Sequence, residues 1–175
     1  MDILLNLEQF VPSEVCLQCD GCCRFKEQES VWRPKMSEEE IQSGIKSGLA
    51  ELILRKNMDG ESGYIKTVCS QGKHRCSHFE FKTNTCGIYS ARPFECQLYP
   101  FVLTRRDQQA VVCVHRPCPF IQQEFQTEKF VRYVVYLKNF FLSSAVTDFL
   151  ARNPSLIGEY KEYQDELEYL FSLIF

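Results

Sequence analysis

The chain has 175 residues, 45% hydrophobic and 25% charged, with a net charge of −3. That length suits a single domain over 1–175 with a real core, and the slightly acidic balance gives no reason to expect nucleic acid as a partner. Ten cysteines are many, and the opening MDILLNLEQF lacks a basic n-region, its apolar run broken by Asn6 and Glu8. Such a start does not read as a signal peptide. A reducing, cytoplasmic setting is therefore expected, where thiols serve metals or chemistry more often than disulfides.

Over 1–14, Ile3, Leu4, Leu7 and Phe10 share one face of a short amphipathic segment. It is expected to cover the core and is too short to span a membrane. Pro12 ends it or opens the next stretch, Val15 to Phe25, VCLQCDGCCRF. There Cys16, Cys19, Cys22 and Cys23 follow the pattern C-x2-C-x2-C-C. A C-x2-C turn brings two sulfurs to the separation that one metal needs, and two such steps would converge three thiolates from one loop. Gly21 is expected to let the backbone turn tightly behind them. The competing reading is buried or disulfide-bonded cysteines, but neighbouring Cys22 and Cys23 point in different directions and fit two ordinary disulfides poorly.

Ser37 and Glu40 have the form of a capping box, which predicts a helix from near Glu38 with Ile41, Ile45, Leu49 and Leu52 on its apolar face. Gly44 and Gly48 weaken that helix. Trp32 reads as a core or clamp residue, and NMDGESG at 57–63 as a turn. Residues 64–116 read as short strands: Tyr64 to Cys69, a hairpin turning at 82–85 and returning at Cys86, and a second hairpin flanking 106–109. From about Ile121 the chain reads as helical, with Phe130, Val134, Leu137, Phe141 and Ala145 spaced at three to four residues. Arg132, Lys138 and Asp148 exclude a membrane span there. Asn153-Pro154 suits the start of a last helix, whose apolar face would carry Leu156, Tyr160, Leu167, Leu170, Phe171 and Ile174.

A second cysteine set lies at Cys76, Cys86, Cys96 and Cys118. With the first loop it makes eight thiols in two groups of four. Soft thiolates in this number suit zinc or iron–sulfur, not magnesium or calcium, and Arg24, Lys26, Arg75 and Arg92 lie beside them to offset their charge. Cys69 and Cys113 read as buried thiols without a metal role. His74, His78 and His115 read as supporting or surface residues, with mixed zinc ligation as the alternative. Tyr89 and Tyr99 are expected to pack with a hydrogen-bonded hydroxyl. No phosphate loop, nucleophile elbow or H-E-x2-H pattern marks an enzyme.

Four features together, Cys16, Cys19, Cys22 and Cys23, then Cys76, then the string Cys86-Gly87-Ile88-Tyr89 with Arg92-Pro93 and Cys96, and then Cys118-Pro119, resemble the CxxCxxCC, or YkgJ-type, cysteine cluster family. The resemblance implies a domain chelating zinc or iron through Cys16, Cys19, Cys22, Cys23, Cys76, Cys86, Cys96 and Cys118. A flagellin lysine methylase carries a similar domain, so a cluster-dependent enzyme is one alternative. An interaction protein with structural zinc is another. The tandem C-x2-C loop favours an iron–sulfur cluster of the [4Fe–4S] type over zinc, in redox chemistry or metal handling. The fold expected is α+β: a small cysteine-rich core of short strands and loops over 16–119, packed against a helical part over 120–175. The apolar C-terminal helices would be covered by that core or by a partner protein.

Overall fold

The computed structural model describes residues 7–19, 21–46, 53–54, 63–70 and 72–174, of which 53–54 by backbone alone. The fold is α+β. It comprises two compact units that divide at Gln97/Leu98: a cysteine-rich unit from Val11, and a C-terminal unit from Leu98 that also takes in Leu7 to Phe10.

The cysteine-rich unit is built of short pieces. In order they are α1 (Ser13–Cys16), a 3-10 turn (Gly21–Cys23), β1 (Arg24–Phe25), β2 (Lys35–Met36), α2 (Glu38–Lys46), β3 (Ile53–Leu54) and β4 (Gly63–Ile65). Then come β5 (Thr67–Ser70), β6 (Lys73–Cys76), β7 (Phe79–Glu80), β8 (Thr85–Cys86), a 3-10 turn (Tyr89–Ala91) and α3 (Phe94–Leu98). The strands form two three-stranded antiparallel sheets, β1-β6-β5 and β2-β4-β3, and the hairpin β7-β8. Asn84, at φ 57, supplies the left-handed residue that closes this hairpin. Phe25, Met36, Ile41, Ile65, Cys76 and Phe79 make the unit's core, with Cys23, Trp32 and Ile88 packed against it.

The capping box forms as expected. Glu40 N–H donates to Ser37 Oγ at 3.1 Å and Ser37 N–H donates to Glu40 Oε2 at 2.8 Å. The apolar face of α2 is narrower than its spacing suggested, since Ile41 is buried while Ile45 is 47% exposed. Leu49, Leu52 and most of the expected turn at 57–63 lie outside the described residues.

In the C-terminal unit, β9 (Phe101–Arg106) and β10 (Gln109–His115) form the second expected hairpin. Asp107 and Gln108 both have positive φ, 47 and 66, as a two-residue turn matched to strand twist requires. Residues Ala110 to Val114 are all buried, so β10 is covered on both faces. Three helices follow: α4 (Pro119–Glu124), α5 (Glu128–Leu142) and α6 (Ser144–Arg152). Gln126 at φ 65 breaks α4 from α5, and Thr127 caps α5 by accepting from Phe130 N–H. Phe130, Leu137 and Phe141 are buried as the spacing predicts, whereas Val134 is half-buried and Ala145, in α6, is exposed. Leu7 and Phe10 are buried too, although residues 7–12 form no helix. Phe10 sits within 6.0 Å of the rings of Phe101, Phe120, Phe130 and Tyr133.

The last helix does not form. Two 3-10 turns (Pro154–Leu156 and Lys161–Glu166) lead into a strand, β11 (Leu167–Ser172), which pairs antiparallel with β10 to give the order β11-β10-β9. A three-to-four spacing of apolar residues is ambiguous over so short a run. The outer edge of β10 offers hydrogen bonds that a surface helix would leave to water. Gly158 covers the opposite edge, exchanging hydrogen bonds with Arg105 and Leu103 of β9. Among the described residues no helix is long and apolar enough to cross a membrane.

Candidate metal centre

The cysteine loop starts as one turn of helix. Pro12 precedes it, and the N–H groups of Val15 and Cys16 donate to the Pro12 carbonyl at 3.0 and 2.9 Å. Cys19 N–H then donates to Cys16 O, and the Cys19 sulfur accepts from Gly21 N–H at 3.5 Å. Gly21 does not have the role its position suggested. Its φ is not left-handed, and a Cβ there would meet only the Cys19 sulfur at an ordinary 3.5 Å. The glycine that close approach requires is Gly87. A Cβ on it would lie 3.2 Å from both the His78 carbonyl and Glu80 Oε1, and its N–H donates to that carbonyl at 2.8 Å. That crossing sets where Cys86 leaves β8.

Within the unit, Cys16 and Cys22 come from the loop, Cys76 from β6, Cys86 from β8 and Cys96 from α3. Each of these five thiols has a raised pKa. Burial is the main cause for Cys16, Cys76, Cys86 and Cys96, with Cys76 pushed up to about 12. For Cys22 the first cause is the hydrogen bond to its neighbour Cys23, followed by burial. Charge on Cys22 acts on Cys16, Cys76, Cys86 and Cys96 alike, and Cys86 also feels Cys16. The fold thus gathers five thiols from four elements into one electrostatic neighbourhood. A bound cation reverses this penalty, because coordination favours the thiolate.

The donor set fits zinc or an iron–sulfur cluster in kind: sulfur, clustered and largely withdrawn from water. Among the described residues no three His, Cys, Asp or Glu side chains are yet disposed to grip one ion. Of the other expected ligands, Cys19 is exposed, and Cys23 packs on the core and hydrogen-bonds Cys22. Cys118 is buried in the C-terminal unit, at the start of α4. None of the ten cysteines is disulfide-bonded. Cys113 is buried as expected, but Cys69 is exposed, because it lies on the edge strand β5 rather than in a core.

Arg92 is the cation that reaches the thiols. Its Nη1 donates to Cys16 Sγ at 3.6 Å, its guanidinium lies 3.9 Å from the centroid of Tyr89, and its charge favours the thiolates of Cys16, Cys22 and Cys86. Tyr89 also hydrogen-bonds Cys16. Arg75, next to Cys76 in sequence, instead stacks on Phe79 and Phe81. His115 is held between Tyr99 Oη (2.9 Å from Nδ1) and Glu166 Oε2 (3.1 Å from Nε2), so both its nitrogens are engaged away from any thiol.

Two carboxylates do more than the sequence reading foresaw. Glu40 accepts from Ser37 N–H with one oxygen and from Phe94 N–H with the other, so one side chain serves the starts of both α2 and α3. Glu95 accepts from Lys35 N–H at 2.7 Å. Burial pushes Glu95 up to about 7, against the pull of Lys35. Together they fasten the segment carrying Cys96 to the β2–α2 corner. Only Glu40 left a local signal, its capping-box spacing. Glu95, between Phe94 and Cys96, left none.

A family model described as "CxxCxxCC: Putative zinc- or iron-chelating domain" matches residues 15–128. No curated protein and no solved structure matches the chain. The matched span covers well over half of the sequence, including all eight cysteines of the two groups, so the chain belongs to the CxxCxxCC family and carries its zinc- or iron-chelating domain.

Proposed function

We propose that the cysteine-rich unit holds one thiolate-bound metal centre that serves redox chemistry or metal handling. Cys16, Cys22, Cys76, Cys86 and Cys96 are its core donors, with Cys19 and Cys23 on the same loop able to complete the set. The observation that carries this reading is the mutual influence of those five thiols, drawn from stretches up to 80 positions apart. Ionising five clustered thiols is costly, and a bound cation removes that cost. These seven candidate donors exceed what a four-thiolate site needs, so Cys118 is not required.

An iron–sulfur cluster of the [4Fe–4S] type is the first reading. The tandem C-x2-C-x2-C loop is similar to loops that wrap a cubane and take their fourth ligand from a distant cysteine. When bound, such a cluster supplies one-electron chemistry, and zinc supplies a cross-link. Structural zinc is the second reading, favoured by Cys76 being part of the apolar core. The deciding experiment is elemental analysis with an absorption spectrum on anaerobically purified full-length chain. Iron with a comparable amount of inorganic sulfide and a brown colour supports the first reading. Zinc in a colourless protein moves the assignment to the second. Protein that takes up neither metal under reducing conditions overturns both.

A further inference from the structure

Of the four cations near the cysteines in sequence, Arg92 directs its charge at the loop thiol Cys16. Its mount is rigid. The backbone at Arg92 is extended (φ −68, ψ 148), as the following Pro93 demands. Its carbonyl accepts from Gln97 Nε2 at 2.8 Å, and Pro93 O accepts from Gln97 N–H at 3.0 Å. The guanidinium lies over the Tyr89 ring at 3.9 Å and presents Nη1 to Cys16 Sγ. A planar, permanently charged fork stacked on a ring keeps its direction better than an ammonium on a flexible stem.

We infer that Arg92 is a positioning and charge-compensating residue of the metal centre: held over the Tyr89 ring, it hydrogen-bonds Cys16 Sγ and so sets how tightly the centre is held. This inference rests on the metal-centre reading. A centre bound by four thiolates carries net negative charge in a region poor in water, and a fixed cation a few ångströms away stabilises the loaded form selectively. Groups that orient or neutralise metal ligands typically change affinity about 10- to 100-fold when removed.

The test compares wild type, Arg92→Gln, Arg92→Lys and Arg75→Gln as full-length, reduced chains. Each is titrated with zinc against a competing chelator, and with cobalt for its thiolate charge-transfer band. The expected result is a loss of zinc affinity of about 10- to 100-fold in Arg92→Gln, with a shifted cobalt band. Arg92→Lys recovers part of the affinity because charge is kept and direction is lost. Arg75→Gln matches wild type, because that side chain faces Phe79 and Phe81. Circular dichroism of the zinc-saturated chains should superimpose, separating ligand tuning from folding. Affinity in Arg92→Gln within threefold of wild type overturns the inference and leaves the metal centre standing. So does an Arg75→Gln loss as large as that of Arg92→Gln. A wild-type chain that binds neither zinc nor cobalt overturns the inference, while the metal-centre reading stands or falls on the iron, sulfide and zinc analysis of the purified chain.

Discussion

The two units of this chain are held together by different physics. Of the twelve largest fully buried side chains among the described residues, eleven belong to the C-terminal unit and only Ile65 to the cysteine-rich one. The C-terminal unit has strands of six or seven residues and a fifteen-residue helix, with its aromatic rings in mutual contact. In the cysteine-rich unit, the strands run two to four residues and several buried groups are polar or charged: Ser30, Lys35, Ser37, Thr67 and His78. Pieces that short bury too little apolar area to offset the entropy of ordering them. Small or loop-rich units of this kind usually rely on a covalent or metal cross-link. The lesson is that the thiol cluster is expected to be part of the fold's stability as well as of its function.

The strongest way to break that comparison is to remove the metal. Stripping the loaded protein with a chelator should open the cysteine-rich unit and leave the C-terminal unit folded. Structural zinc contributes about 10 kcal/mol or more in zinc-finger peptides, which sets the scale. Hydrogen exchange by mass spectrometry should show protection lost across 11–97 and kept in β9, β10 and α5. Equal loss in both units would refute the division of labour.

Next in size are the ligand variants. Cys22→Ser and Cys96→Ser should each lower metal content and share most of the destabilisation seen on metal removal. Cys69→Ser and Cys113→Ser should retain full metal content, Cys69 being exposed on an edge strand and Cys113 buried in the other unit. Metal analysis checks this directly, and indistinguishable metal content across the four variants would sink the assignment.

The converse test is Leu137→Ala, a fully buried side chain of α5. It should cost about 2–5 kcal/mol through lost burial and the cavity left behind. Denaturant unfolding should register that loss while metal stoichiometry stays at the wild-type value. If metal content fell as well, the units would not be energetically separate.

Smaller still is Glu40→Gln. The amide can accept with one oxygen only, so either Ser37 N–H or Phe94 N–H loses its acceptor, at about 1–2 kcal/mol. Exchange should accelerate around α2 and Phe94 and not in β10. No change there would mean that the shared cap does not hold α3 in place.

The smallest effect has the opposite sign. Thr104 is fully buried, and its hydroxyl makes no hydrogen bond among the described residues. Thr104→Val should stabilise the C-terminal unit by about 1 kcal/mol, because an unsatisfied hydroxyl is exchanged for a methyl group of similar size. A lower unfolding midpoint would show that the hydroxyl is satisfied in solution.

Much of this was legible in the sequence where the determinant is local. The capping box at Ser37 and Glu40, the hairpin turning at Asp107 and Gln108, and the buried face of α5 each depend on residues a few positions apart. The cysteine spacing and the string from Cys86 to Cys96 were enough to name the chemical class, because soft ligands at short spacing have few other uses. Tertiary structure decided what depends on distant partners. It made Leu167–Ser172 a strand, since the open edge of β10 outweighs a short helical periodicity. It moved the tight glycine from Gly21 to Gly87, where the chain crosses the His78 carbonyl. It also chose Arg92 over Arg75 as the cation at the thiols, and bound Phe94 and Lys35 to two buried carboxylates. Sequence neighbours fix which groups are available, but side-chain direction and burial fix which of them meet, and those arise only when separate elements pack.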